Sequence, residues 1–261
     1  MTEHVRADAS EGVLTLTLNR PEKKNALTRA MYQALADGIA RADGDAGVRC
    51  VLMQAEGDTF TAGNDLSDFA ALAAAGADAT AERTHGNPLL IALANARVPI
   101  VAAVNGRAVG IGTTMLLHCD MVFLADDARL TTPFVNLALV PEAASSLLLP
   151  ARIGHARAFA MFVLGEAVDA QTAVAWGLAN AVCPRADVRA TARAAAAAIA
   201  ARPPAAVGIT KSLMRDAAAM LARMSVEAGH FTTQLRSAEA REAFAAFAEK
   251  RAPDFARAVQ S

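Results

Sequence analysis

The sequence predicts an α/β fold with a helical C-terminal region. Three observations carry this expectation. Gly12 to Asn19 alternates apolar and polar residues with period two, the signature of a half-buried strand. Two apolar runs, Cys50–Met53 and Val98–Val104, read as fully buried strands separated by a helical stretch over Pro88–Ala96. From about Gly154 onward the pattern turns helical. Strand, helix, strand in that order implies crossover connections and parallel pairing.

The elements follow in order. After the first strand, Arg20–Asn25 forms a charged turn. Thr28 is placed to cap a helix that puts Met31, Leu35 and Ile39 on one face. The Cys50–Met53 strand ends at Glu56-Gly57-Asp58, and further short strands are expected at Met121–Leu124 and around Leu130. Helices are expected over Ala156–Leu164, Ala170–Trp176 and nearly everything beyond Ala190, with Arg202-Pro203-Pro204 and Pro253 as punctuation. No internal repeat or disordered linker interrupts this pattern. It reads as an α/β core over 1–195 followed by a helical region over 196–261.

Composition narrows the function. The chain has 261 residues, 54% of them hydrophobic, with 25 Lys+Arg against 26 Asp+Glu for a net charge of -1. That balance argues against a dedicated nucleic-acid binder, which needs a basic excess. With one Trp and one Tyr, stacking platforms are scarce. Much of the apolar content is alanine, as in Ala194–Ala198, which reports closely packed helices. The apolar run Val98–Val104 is far short of the roughly 20 residues of a membrane helix. The polar start MTEHVRADASEG lacks the apolar core of a secretory signal. Cys50, Cys119 and Cys183 form no Cys-x-x-Cys pair, which fits free thiols in a reducing compartment, and the five histidines show no metal-ligand spacing. The expectation is a cytoplasmic chain without a metal and without a membrane or nucleic-acid partner.

Candidate chemistry gathers in three segments. Phe60–Leu66 and Asn105–Gly112 are small-residue turns that follow buried strands. Such turns let backbone N–H groups approach a ligand, or are simply tight turns. The glycines of the second run G-x-x-x-G-x-G, which is not a dinucleotide fingerprint, and no P-loop is present. In the third segment, Leu137–Ala144, Glu142 is a lone carboxylate in an apolar run. It can be a proton-transfer group with a raised pKa, or the acidic first turn of a helix that begins at Pro141. Ser145-Ser146 lacks the nucleophile-elbow pattern. His118 and Cys119 read as core, Asp120 as a structural hydrogen-bonding group and Asp126-Asp127 as a solvated turn.

Taken together, these segments resemble the crotonase (enoyl-CoA hydratase/isomerase) superfamily. The matching pieces are Leu18–Leu27 (LNRPEKKNAL), Phe60–Leu66 (FTAGNDL), Val98–Gly106 (VPIVAAVNG), Cys119-Asp120, Ala175–Ala179 (AWGLA) and Phe247–Arg251 (FAEKR), in family order over nearly the whole chain. The resemblance implies a spiral of β-β-α units, acyl-CoA thioester substrates, no cofactor beyond the coenzyme A of the substrate, and a homotrimer or dimer of trimers with 196–261 as the trimerisation region. It also implies an oxyanion hole whose two main-chain donors are Asn64 and Ile111. CoA would run along Ala62, Gly63, Asn64, Asp65 and Leu66. Lys24 would stand near phosphate, and Phe247 and Lys250 would reach a neighbouring subunit's CoA. Both lysines are equally readable as solvated surface charge. By composition alone, alanine-rich and without strong periodicity, the stretch Ala70–Thr84 reads as a mobile loop over the acyl pocket.

The departures from the family pattern are specific. Family hydratases use two glutamates, and Thr114 and Phe134 stand in their places. Thr132–Ser146 and Gly110–Thr114 are instead similar to the Δ3,Δ2-enoyl-CoA isomerases of peroxisomal type, which keep one catalytic glutamate at the place of Glu142. That branch's usual glycine after the glutamate is Ala143 here. The resemblance therefore implies a 3-enoyl-CoA to 2-enoyl-CoA isomerase with Glu142 as its base. The alternatives are a hydratase or another CoA-thioester lyase or hydrolase, and a catalytically silent acyl-CoA-binding protein.

Overall fold

A computed structural model describes residues 2–65 and 87–258. Strands β1 (Val5–Ser10) and β2 (Val13–Leu18) form an antiparallel hairpin. Its two-residue loop, Glu11-Gly12, takes positive φ at both positions (55° and 78°), which suits the right-handed twist of the flanking strands. From β2 onward the pairing in the large sheet is parallel, whereas β7 and β8 of the small sheet pair antiparallel. β3 (Cys50–Ala55) lies on β2 from Val13↔Cys50 to Leu18↔Ala55. β4 (Ile100–Val104) follows, then β6 (Met121–Ala125) and β9 (Ala181–Cys183), giving the order β1-β2-β3-β4-β6-β9. The strands expected at Gly12–Asn19, Cys50–Met53, Val98–Val104, Met121–Leu124 and near Leu130 are all present within a few residues.

A smaller sheet holds β5 (Arg107–Val109), β7 (Arg129–Thr131) and β8 (Val168–Asp169) in the order β5-β7-β8. An isolated parallel bridge, Thr61↔Ala108, adds the segment after β3 to its edge. A strand of the large sheet, a short strand of the small sheet and a helix thus recur along the chain: β4, β5 and α3 (Ile111–Thr114), then β6, β7 and α4 (Ser145–Ile153) with α5 (His155–Leu164). This is the expected α/β spiral of β-β-α units.

Period-two alternation divides the large sheet between two cores. Cys50 and Leu52 of β3 and Val101 and Ala103 of β4 face helix α7 (Val188–Ala200), which packs through Val188, Ala192, Ala196 and Ala200. The alternate residues Val51, Met53, Ile100, Ala102 and Val104 join the main core with α1 (Arg29–Gly44) and α2 (Pro88–Asn95). Alanine at every fourth position lets α7 lie close to the sheet. This helix runs unbroken from Val188 to Ala200. Thr28 caps α1 as expected, its side chain accepting from Met31 N. Helix α6 (Ala170–Ala175) leads into β9. The helices α8 (Pro204–Met214), α9 (Ala217–Leu235), α10 (Ala238–Glu249) and α11 (Phe255–Ala258) complete the chain, and α9 packs on α2 and α4. No helix among the described residues is long and apolar enough to cross a membrane.

Asp120 is structural, as its sequence context suggested. It accepts from Ile100 N at 2.7 Å and from buried Lys211 Nζ at 2.8 Å, so α8 is tied to the start of β4. His118 and Cys119 are core residues. Gly106 serves packing: with φ +63°, a Cβ there would stand 1.9 Å from Asp58 O. Replacing Gly106 with Ala must displace backbone as well as strain it. Equilibrium urea unfolding of Gly106→Ala should show a loss of about 3 kcal/mol.

Candidate active site

Two loops are brought side by side by main-chain hydrogen bonds. Thr61 N donates to Arg107 O and Val109 N donates to Thr61 O, each at 3.1 Å. On the other flank Leu27 N donates to Gly63 O at 2.7 Å and Asp65 N to Leu27 O at 3.0 Å. Such close approach requires small residues. Gly63 has φ +91°, and a Cβ there would stand 2.8 Å from Val109 O. A Cβ on Gly112 would stand 2.5 Å from Thr61 Cγ2. Asn64 and Ile111 consequently line one cavity of about 380 Å³, together with Ala62, Gly63 and Phe134. Among the described residues, neither the Asn64 nor the Ile111 N–H donates a main-chain hydrogen bond. Tyr32 donates its phenol O–H to Asn64 Oδ1 and so ties this residue to α1.

Glu142 lines a second cavity, of about 280 Å³, with Asn64, Ile91, Met224, Glu227 and Phe231. Asn64 and Phe231 line both cavities. Of the two local readings of Glu142, the acidic first turn of a helix does not hold. Helix α4 begins at Ser145, and two alanines with left-handed backbone, Ala143 (φ 65°) and Ala144 (φ 54°), separate Glu142 from it. Left-handed backbone costs an L-residue about 1–2 kcal/mol, so this turn depends on outside support. His118 bonds Ala143 O through Nε2 at 2.8 Å. Its Nδ1 faces the Arg215 guanidinium at 3.3 Å. Arg215 has only donors, so Nδ1 accepts and Nε2 carries the hydrogen. Burial pushes the His118 pKa down to about 4, which keeps the ring neutral.

Glu227, from the middle of α9, supplies the cap that Ala144 lacks. Its Oε2 accepts from Ala144 N at 2.6 Å, and its Oε1 accepts from Ser146 N at 2.9 Å and Ser146 Oγ at 2.5 Å. Burial raises its pKa, against the hydrogen bonds from Ser146 and Ala144, which favour the charged form. Sequence reasoning missed Glu227, Tyr32 and Phe231. A buried Glu inside an amphipathic helix was the available signal for Glu227, but its partners lie more than 80 residues away.

The remaining predicted site residues divide. Ala62 and Gly63 line the larger cavity. Asp65 accepts from Arg20 at 2.6 Å and so fastens the charged turn to the loop. Lys24 lines neither cavity; its Nζ donates to Asp58 at 2.7 Å, and this bond lowers the Asp58 pKa. Phe247 lines the larger cavity of its own chain, as does Arg251, which is held by Glu242 and Glu249. Lys250 closes α10 in left-handed backbone and lines neither cavity. Leu66 and the stretch Ala70–Thr84 lie outside the described residues. Thr114 is fully buried, and Phe134 packs against Phe162 with ring centroids 6.2 Å apart. Neither position supplies a carboxylate.

The chain belongs to the enoyl-CoA hydratase/isomerase family, whose model matches residues 8–258. It is 34% identical over 260 residues to 1,2-epoxyphenylacetyl-CoA isomerase of Escherichia coli K12, covering 98% of this chain and 99% of that one. It is 37% identical over 211 residues to enoyl-CoA delta isomerase 2 of Rattus norvegicus, covering 79% of this chain and 53% of the rat protein. A crystal structure of an enoyl-CoA hydratase/isomerase from Pseudoalteromonas atlantica T6c superposes with a TM-score of 0.89 at 44% identity, covering 97% of this chain and 99% of that one. Relatives called hydratases match at comparable identity.

The neutral His118 makes stability depend on pH in a defined direction. Its folded pKa lies below the unfolded value of about 6.5, so the unfolded chain binds the extra proton as pH falls. Stability is retained above pH 6.5 and declines between 6.5 and 4. Urea unfolding should show a loss of about 2 kcal/mol from this group between pH 7 and pH 5. That increment should be missing from His118→Gln.

Proposed function

We propose that this enzyme shifts the double bond of a 3-enoyl-CoA to give the 2-enoyl-CoA, with Glu142 as its single acid–base group. The observation that carries the reading is the placement of Glu142 in a cavity it shares with Asn64, while the two positions where family hydratases hold glutamates carry buried Thr114 and Phe134. The isomerisation takes a proton from C2 and returns one to C4. A single carboxylate lying between those carbons serves both steps. Removing the C2 proton spreads negative charge onto the thioester oxygen as a dienolate. The Asn64 and Ile111 N–H groups receive that charge, and their loops are held in place before it develops, so little reorganisation accompanies the step.

The reaction also suits the surroundings. Hydration adds a water to C3, and that water needs a polar group to hold and activate it. Phe134 offers none at its position. In this reading the CoA portion lies along Ala62–Asp65, and Phe247 contributes an apolar edge to the larger cavity. Lys24 and Lys250 are then solvated surface charges outside both cavities.

The assay is direct. Given a 3-enoyl-CoA, the purified protein should produce the conjugated 2-enoyl-CoA, read as an absorbance rise. Glu142→Gln should lower kcat by roughly 10²- to 10⁴-fold. Full activity in that variant would overturn the assignment. Hydration of crotonyl-CoA that persists in Glu142→Gln would point to a hydratase. Tight binding of acyl-CoA without turnover across a substrate panel would point to a binding protein.

A further inference from the structure

We infer that Glu227 is a positioning residue for Glu142: its carboxylate clamps the start of α4 and thereby holds the two-residue left-handed turn that sets Glu142 in the cavity. The inference rests on the reading of Glu142 as the base.

Three observations support it. The turn is intrinsically disfavoured, because Ala143 and Ala144 are both L-residues at positive φ and the helix they open has no local side-chain cap. The groups that a cap would satisfy are satisfied from α9 instead, with both oxygens of Glu227 in use: Oε2 on Ala144 N, Oε1 on Ser146 N and Oγ. And the clamp is attached to the site itself, because Glu142 and Glu227 line one cavity, with Met224 and Phe231 of the same α9 helix beside them. His118 holds the other side of the turn at Ala143 O. The peptide between Ala143 and Ala144 is therefore gripped at its oxygen by the core and at its nitrogen by α9. A turn held this way persists only while its surroundings over-determine it.

A carboxylate is required for the grip. Three donors converge on it, and charge-assisted acceptors are the stronger ones. The amide of Gln can present one acceptor oxygen but must turn its NH2 toward a donor at the other position.

The test is Glu227→Gln, assayed on whichever acyl-CoA the wild-type protein turns over. Small displacements of a catalytic group lower the chemical step more than they lower binding, so kcat should fall roughly 10- to 100-fold while KM changes less than about twofold. Amide hydrogen exchange at Ala144 and Ser146, which needs no substrate, should quicken at least about tenfold. Replacing Ala143 and Ala144 with Gly in the Glu227→Gln background should recover part of kcat, because glycine adopts positive φ without the steric cost. If Glu227→Gln does not fold, Ser146→Ala removes one of the three donors and leaves the carboxylate in place. A fall in kcat of about threefold is then expected. Unchanged kcat with quickened exchange would make Glu227 a purely structural cap and overturn the proposal. So would a rise in KM alone, or a kcat loss that glycine does not relieve. Failure of the isomerase reading shows separately, as full activity in Glu142→Gln.

Discussion

Two main-chain hydrogen bonds, from Thr61 N to Arg107 O and from Val109 N to Thr61 O, hold the rest of the site in register. They join loops from successive β-β-α units as if the loops were strands, and so make Asn64 and Ile111 neighbours although 47 positions separate them in the chain. The pairings of Leu27 with Gly63 and Asp65 carry that alignment along the first loop to Asn64. The consequences spread outward. Only glycine tolerates the approach at 63 and 112. The charged turn after β2 becomes a buttress: fully buried Asn25 donates to Glu56 O and Thr59 O, and its carbonyl accepts from Thr61 Oγ1. Arg20 reaches Ala26 O and Asp65. Within the charged turn, Arg20 and Asn25 therefore brace the first loop from beneath, while Glu22, Lys23 and Lys24 stay exposed.

Glu142 is held by the opposite strategy. The amide donors are aligned by backbone pairing, which tolerates most side chains. The carboxylate stands on a turn that its own residues disfavour, supported by side chains from two distant elements, His118 after α3 and Glu227 on α9. On the proposed reading, a fixed anion receptor and a base that serves two carbons place different demands on the chain. The receptor gains from rigidity before charge appears. The base must deliver its proton to a second carbon, so its side chain needs rotamer freedom, which makes the anchoring of its backbone the controlling variable.

Much of the fold was legible because period and burial were unambiguous. The Gly12–Asn19 alternation, the buried runs at 50 and 98 and the Thr28 cap each rest on neighbours in sequence, and each is present. The glycine turns were legible as close approaches, although Gly106 meets the carbonyl of Asp58, while Arg107, Val109 and Gly112 meet the loop around Thr61. Lys24 and Asp65 carried no local sign of their partners, Asp58 and Arg20, because those pairings cross from one loop to another. Glu142 was legible as a candidate for chemistry, but its geometry was not. Local rules put it in the first turn of a helix, and only the tertiary grip of Glu227 and His118 allows alanines to hold the left-handed positions that place it before that helix. A run of alanine reads as helix without saying what the helix packs on, and the partner of α7 is the sheet.

On the proposed reading, the choice between isomerisation and hydration follows from what occupies two buried positions. A glutamate at 114 or 134 would need partners or water to offset the cost of burying its charge. Phe134 instead packs against Phe162 and lines the cavity beside Ile111. An aromatic wall there removes both the general base and the polar seat of a nucleophilic water. It also lowers the local dielectric in which the two amides meet a developing enolate, and their interaction with that charge is correspondingly stronger. The same substitution that deprives hydration of its machinery thus favours the step isomerisation does need, the stabilisation of a dienolate protonated by one carboxylate at one of two carbons.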